Sequence, residues 1–467
     1  MMKKVPDTID QTVSPDAELL AADRDAVSLR DSEFSRLVRS GETYVDYTGA
    51  ALYPESLVRD HHALLLEEVS GNPHSTSPAA ARSTQRLTGT RDRILAFFNA
   101  PTDEYEVIFT PNASGALRIV GEAYPFGCNG RYLLTSDNHN SVNGIREYAR
   151  ARGSDVRYIP ITLSDLRLDA AVLAAELEGG CRVSPRLFAY PAQSNFSGVQ
   201  HSLQWIEKAH QCGWDVLLDA AAFVPTNRLD LSLHKPEFAV VSFYKMFGYP
   251  TGIGALIAKR SALARLHRPW FAGGTITVAS VKAERYAPAR DEAAFEDGTQ
   301  DFLSIPAIAL GLDYLERLGI DRIHRRVELL TGWTLRELES LHHANGSPLV
   351  HIYGPLGSEE RGGTIALNVF DASGEMVDHR VVEALASRAG ISLRTGCFCN
   401  PGAGETALEI PKQRIVTCFE ESDGRLTLDD FKVCLHGGSG AVRISFGYAS
   451  VLEDARRVVE FVSRFLD

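Results

Sequence analysis

Only seven of the 467 residues are cysteine, an odd number scattered at positions 128, 181, 212, 397, 399, 418 and 434. That is not the dense, paired pattern of a secreted disulfide framework, so all seven are expected to be reduced thiols. A long hydrophobic run is also missing. The most apolar stretch, Phe238 to Ala258, is broken by Lys245, Pro250 and several glycines, which excludes a membrane span there. The opening MMKKVPDTIDQTVSPDAELL has no apolar signal-peptide core, and a cytoplasmic location is expected. Positive charge is in deficit: the formal net charge is −12. With no basic stripe interleaved with aromatics, neither nucleic acid nor an anionic membrane is the expected partner. A small metabolite is.

Hydrophobic content of 44% and charged content of 23% fit a globular chain with room for one large or two ordinary domains. No repeat interrupts it. From about residue 105, short β-rich runs alternate with helical stretches: EVIFT then SGALRIVGEAY, RYLLTSD then SVNGIREYARARG, RLFAYPA then LQWIEKAHQCG, followed by WDVLLDA, AVVSF and GIGALIA. This rhythm predicts an α/β domain on a mostly parallel sheet, with ligands at the carboxyl ends of the strands. A helical pattern from Ile305 leaves that domain. Beyond it, TIALNVF and AVRISF read as strands, and VVEALASRAG and VLEDARRVVEFVSRF as helices. The expected organisation is an N-terminal arm or leading helix over 1–40, a large domain over 41–305 and a smaller C-terminal domain over 306–467. A Gly/Asp-rich insertion at 401–440 is left unassigned.

Four features could carry chemistry. Lys245 lies in the apolar, glycine-rich VVSFYKMFGYPTGIGALI, where a cation is costly to bury unless its amine is condensed or paired. A lysine snorkelling to the surface fits the same pattern. The turn in EVIFTPNASGALRIV opens a helix and leaves the N–H groups of Ala113, Ser114 and Gly115 to hold a phosphate, although a plain N-cap looks the same. Asp219 ends the strand WDVLLDA, and His139 in SDNHNSVNG follows another. An Asp there is as often a helix cap, and an isolated His is more often structural. Together, the lysine, phosphate cup, strand-end Asp and stacking His are what pyridoxal phosphate requires of a protein.

The sequence resembles the class V, fold-type I pyridoxal-phosphate enzymes, with the nearest likeness to cysteine desulfurases and the NifS-like domain of molybdenum cofactor sulfurase. The likeness runs from YVDYTGAALYPES (44–56) through GNPHS (71–75), TPNASGAL, DNHNSVNGIR, SNFSG (194–198), LLDAAAFVPT, SFYKMFGYPTGIGALI and RTGCFCNPG to GAVRISFGY (440–448). It implies a large domain with a mostly parallel seven-stranded sheet and a smaller α+β domain. It also implies pyridoxal 5'-phosphate bound to Lys245 through a Schiff base, Asp219 against the pyridine nitrogen and His139 stacked on the ring. Asn195 would position cofactor and substrate, and Ala113, Ser114 and Ser242 would bind the phosphate. Thr299, in FEDGTQDF, would complete the phosphate cup from a neighbouring subunit, which implies a homodimer. Arg394 and Arg443 match residues that grip an amino-acid carboxylate, a task suited to the guanidinium fork. His74 joins them as a substrate-binding residue.

RTGCFCNPG sets two cysteines one residue apart between glycines. By resemblance Cys399 is the nucleophile, taking sulfur from L-cysteine as a persulfide and releasing alanine to leave the sulfur for an unknown acceptor. Cys397 stands where other desulfurases have histidine. A thiolate on a mobile loop is what such a transfer needs, and glycines on both sides of CFC are expected to supply the mobility. Ala222 departs from the desulfurase pattern, as does Gly404 where a third cysteine is expected. With the sequence ending at Asp467, the further C-terminal domain of the sulfurases is not expected. Two other readings stay open: a C–S lyase acting on a cysteine conjugate, and a zinc-stabilised scaffold using Cys397, Cys399, Cys418 and Cys434 with His436 nearby. Cys128, Cys181 and Cys212 read as core thiols.

Overall fold

The computed structural model describes residues 14–179, 185–422, 425–435 and 440–466. Its centre is a seven-stranded sheet in the order Tyr105–Thr110, Gly254–Lys259, Phe238–Ser242, Asp215–Asp219, Arg186–Pro191, Arg131–Thr135 and Asp155–Ile159. The last five of these strands run parallel, and Gly254–Lys259 is antiparallel to both its neighbours. The α/β expectation is met, because strands read as unbroken apolar runs are those buried on both faces. Tyr105–Thr110, Arg186–Pro191 and Phe238–Ser242 are buried at every position. Parallel strands need crossover connections: the helices Ile145–Ala151, Ala170–Glu178 and Gln204–Gln211 lie in the connections among the parallel strands, and Ala113–Ala123 leads into them from Tyr105–Thr110.

The C-terminal unit is a four-stranded antiparallel sheet, Val350–Tyr353, Thr364–Val369, Ala441–Ser445 and Arg394–Gly396 in spatial order. The amphipathic helices Ile320–Glu339, His379–Arg388 and Leu452–Ser463 accompany it. The first described helix, Pro15–Glu33, is capped by Ser14 and packs on Ile320–Glu339 and Leu452–Ser463. Just after it, Thr43–Tyr44 pairs in parallel with Ile391–Ser392, and Asp46 bridges to Ser445. Residues near the start of the chain are thereby laid on the C-terminal sheet, beside the carboxyl ends of the large sheet's strands. Among the described residues, no helix is long and apolar enough to cross a membrane.

The unassigned insertion contains three short helices, Pro401–Ala407, Lys412–Glu420 and Leu428–Cys434. The expectation that all seven cysteines are free thiols is overturned here. Cys418 and Cys434, 16 residues apart, form a disulfide, with Cα atoms 5.9 Å apart. The last two helices fold back on each other, and Arg414 donates to the Cys434 carbonyl from Nε at 3.1 Å and Nη2 at 3.0 Å. The fold-back brings distant positions face to face, which spacing alone did not reveal. Cys212 is buried as expected, but Cys128 is exposed and is not a core thiol. Cys181 and His436 lie outside the described residues.

Candidate active site

Strand Phe238–Ser242 ends in the five-residue helix Phe243–Phe247, closed by Gly248 in the left-handed region. This sharp turn holds Lys245 at the carboxyl edge of the sheet. It faces a cavity of about 340 Å³ that Ala113, Ser114, His139, Asn195, Asp219 and Ser242 also line. Seven of the eight expected cofactor residues, drawn from five separated segments, are thus gathered at one site. Burial pushes the Lys245 amine below its ordinary pKa, opposed by the Asp219 carboxylate and reinforced by the Arg443 guanidinium. A lysine held toward its neutral form is one prepared to act as a nucleophile or base.

The phosphate cup is built differently from expectation. Ala113 N–H donates to Ser242 Oγ at 3.0 Å, and Gly115 N–H donates to the capping Asn112 Oδ1 at 3.0 Å. Two of the three N–H groups read as free are therefore used within the protein. The Ser114 N–H has no acceptor among the described residues, and the Ser114 and Ser141 hydroxyls meet at 2.6 Å. A helix start, an unpaired N–H and hydroxyls lining the same cavity suit a phosphate. Asp219 Oδ1 accepts from Ala221 N–H at 3.0 Å, which fixes the carboxylate and leaves its second oxygen for a ring nitrogen. His139 Nδ1 accepts from Ser141 N–H at 3.1 Å, so this nitrogen carries no proton. Burial lowers the pKa of His139, with Asp219 opposing and Lys245 reinforcing. A neutral imidazole fixed in one tautomer is suited to lie on a planar ring. These residues fit pyridoxal phosphate.

Arg394 and Arg443 do come together, but on a residue that sequence reasoning missed. Asp46 takes Arg394 Nη2 at 2.8 Å on Oδ2 and Arg443 Nη2 at 2.9 Å on Oδ1. Arg443 Nη1 also donates to the Asn195 carbonyl at 2.9 Å. Gln193, likewise missed, lines the cavity beside Ala222. The side chain of Asn195 serves the CFC turn: Nδ2 donates to the Phe398 carbonyl at 2.7 Å, and Oδ1 accepts from Asn400 Nδ2 at 2.9 Å. Arg394, Arg443, Cys397 and Cys399 do not line this cavity, and neither do Thr299 and His74. Thr299 lines an adjacent space of about 290 Å³ that shares Pro111 and Gly252 with it. The Thr299 hydroxyl accepts from Asn72 Nδ2 at 3.4 Å, and Asn72 Oδ1 in turn accepts from the N–H of the exposed His74 at 3.2 Å.

The CFC turn joins the units. Cys397 is half-buried and Cys399 exposed, both as free thiols. The Cys399 carbonyl accepts from Asn140 N–H at 2.7 Å, immediately beyond His139, and the Arg443 guanidinium lies 4.6 Å over the Phe398 ring. The two flanking glycines differ in their surroundings, and Gly396 pairs with Ala441 in the C-terminal sheet. A Cβ on Gly396 (φ 108°) would meet nothing within 4 Å, whereas one on Gly402 would lie 2.1 Å from the Ser136 carbonyl oxygen. Gly402 is there for close approach. The zinc reading loses two of its four cysteines, because Cys418 and Cys434 are bonded to each other.

The family model described as "Aminotransferase class-V" matches residues 43–458. Molybdenum cofactor sulfurase from Bos taurus is 39% identical over 459 residues, covering 93% of this chain and 51% of the relative. Its counterpart from Solanum lycopersicum is 37% identical, with 93% and 56% covered. The chain thus spans about half the length of these curated relatives. Among solved structures, the apo cysteine desulfurase of Thermococcus onnurineus superposes with TM-score 0.78 at 22% identity, covering 94% of this chain and 97% of that one. The cystine C–S lyase C-DES, in complex with cysteine persulfide, has TM-score 0.69 at 18% identity, with 93% and 100% covered. At such identities these two likenesses concern the fold.

Proposed function

The chain belongs to the class-V aminotransferase family of pyridoxal-phosphate-dependent enzymes, and on that premise we propose that it is a cysteine desulfurase that carries sulfur on Cys399. The observation supporting this most directly is the docking of a free-thiol turn, through Asn140 and Asn195, onto the segments that line the Lys245 cavity. A fold of this class alone would fit many chemistries; the free-thiol turn docked on the cavity's segments supports sulfur transfer among them.

When bound, pyridoxal phosphate supplies the electron sink for the substrate's α-carbon. Asp219 and His139 orient the ring, Ser114 and Ser242 hold the phosphate, and Arg394, the exposed partner of Asp46, receives the substrate carboxylate, with the buried Arg443 fixing Asp46 behind it. Lys245 moves the α-proton. The Cys399 thiolate then forms an S–S bond with the substrate sulfur as the substrate's C–S bond breaks, and the carbon skeleton gains a proton and leaves as alanine. A thiol acceptor later reduces the persulfide. Thr299 and His74 sit together outside the cavity, and we assign both to the cavity of a second copy in a homodimer.

The test is product analysis with cofactor, L-cysteine and a reductant, measuring alanine and pyruvate in one sample. Alanine in step with sulfide supports the assignment. Pyruvate without alanine would make the protein a C–S lyase, with Cys399 outside the chemistry.

A further inference from the structure

Asn400, which follows the proposed nucleophile, has no role in the chemistry above, yet it is fully buried and uses every polar atom it has. Its backbone N–H closes the turn on the Cys397 carbonyl at 2.9 Å. Its Oδ1 accepts from Ala403 N–H at 3.2 Å and caps the helix Pro401–Ala407. Its Nδ2 donates twice into the large unit, to the Asp137 carbonyl at 2.6 Å and to Asn195 Oδ1 at 2.9 Å. Asn195 returns the link by donating to the Phe398 carbonyl at 2.7 Å. The receiving loop is itself fixed, because the buried Asp137 carboxylate meets His201 Nε2 at 2.7 Å.

The backbone explains why such anchoring is needed. Phe398 and Cys399 are consecutive non-glycine residues with φ of 57° and 56°, a left-handed conformation that L-residues avoid. It persists only where surrounding bonds over-determine it. Here those bonds are the ones from Asn140, Asn195 and Asn400, with the Phe398 ring held 5.5 Å from Phe196.

We propose that Asn400 and Asn195 form a latch holding the CFC turn in its left-handed geometry, so that Asn400 is a positioning residue for the Cys399 thiol. The proposal rests on the turn being the working one, and its test separates the two ideas. Asn400→Ser keeps a cap acceptor for Ala403 and removes both donated bonds. Asn195→Asp keeps an acceptor toward Asn400 and removes only the bond to Phe398. The readout is the ratio of alkylation rates at Cys399 and Cys397, from peptide mass spectrometry of the cofactor-free protein; purely structural damage elsewhere would not change it selectively.

Each variant is expected to shift that ratio by about fivefold or more. In the cofactor-loaded protein, Asn400→Ser is expected to lower kcat about tenfold with KM little changed. Ratios within about twofold of the parent in folded variants would overturn the latch. If Asn400→Ser does not fold, the Asn195→Asp ratio decides alone by the same criterion. A shifted ratio in a protein that makes no alanine would keep the latch and remove the desulfurase reading.

Discussion

Asp46 Oδ1 accepts a hydrogen bond from Arg443 Nη2 at 2.9 Å, across 397 residues of sequence. The Arg443 side chain is 2% exposed, whereas Arg394, on the other carboxylate oxygen, is 53% exposed. The two pairs therefore differ in energy although they share an anion. Asp46→Asn leaves a buried guanidinium without its counter-charge, and stability is expected to fall by about 3 kcal/mol. Arg394→Ala removes a largely solvated partner and should cost less than about 1 kcal/mol. Urea denaturation of both variants checks this; equal, small losses would mean that Arg443 is compensated elsewhere.

In the proposed function Lys245 and Asp219 act on opposite ends of one cofactor, so their variants should fail differently. Borohydride reduction of the cofactor-loaded protein is expected to fix cofactor mass on the peptide containing Lys245, and on none in Lys245→Ala. Asp219→Asn keeps the acceptor for Ala221 N–H but loses the charge-assisted bond to the ring nitrogen. Cofactor affinity should then fall roughly 10- to 100-fold, the equivalent of one such bond, while reduction still labels Lys245. Labelling at another lysine would sink the assignment.

Six of the large sheet's seven strands were legible because each is a local apolar run bounded by turn residues, and strand ends announce where Asp219 and His139 must emerge; the edge strand Asp155–Ile159, largely exposed and carrying Asp155 and Arg157, has no such pattern and was not read. Lys245 was legible as a cation in an apolar stretch. What escaped was anything made by two distant segments whose own patterns are ordinary. Asp46 sits in YVDYTG, with no local sign that two arginines close on it from 348 and 397 residues away. Asn400 reads as the start of a turn before Pro401, and its burial follows only from how the units dock. The Cys418–Cys434 bond needed the helical fold-back, which a Gly/Asp-rich stretch did not suggest. The N–H groups of Ala113 and Gly115 were miscounted because their acceptors, Ser242 and Asn112, are side chains whose direction the sequence does not give.

His139 supplies a pH dependence with a defined sign. Burial holds its pKa below the ordinary 6.5 in the folded protein, with Asp219 opposing and Lys245 reinforcing. As pH falls below 6.5, the unfolded chain takes up a proton that the folded protein refuses, so stability declines toward acid until the folded pKa is reached. One such group contributes at most about 1.4 kcal/mol per pH unit. His139→Asn keeps a polar cap for the helix Asn140–Asn143 and removes the titration. Urea midpoints of the cofactor-free protein across mildly acidic pH should fall less steeply in the variant; parallel curves would show that His139 is protonated equally in both states.

The Cys418–Cys434 bond is expected to govern its own hairpin and little else. Helices Lys412–Glu420 and Leu428–Cys434 have nine and seven residues, too short to persist alone in water. Phe419, 60% exposed, touches Phe431 with ring centroids 5.8 Å apart, a contact too open to replace the bond. A crosslink closing a loop of this size contributes about 3 kcal/mol in the chain-entropy account. Its loss should raise amide exchange in both helices by about 100-fold. The CFC turn is anchored upstream of the hairpin, by Asn400 on Asp137 and Gly402 against Ser136. The double variant Cys418→Ser with Cys434→Ser should therefore keep alkylation at Cys399 and alanine formation near parental levels. Hydrogen-exchange mass spectrometry alongside the product assay decides it: loss of both together would mean that the hairpin braces the turn and that the anchoring assigned to the large unit is insufficient.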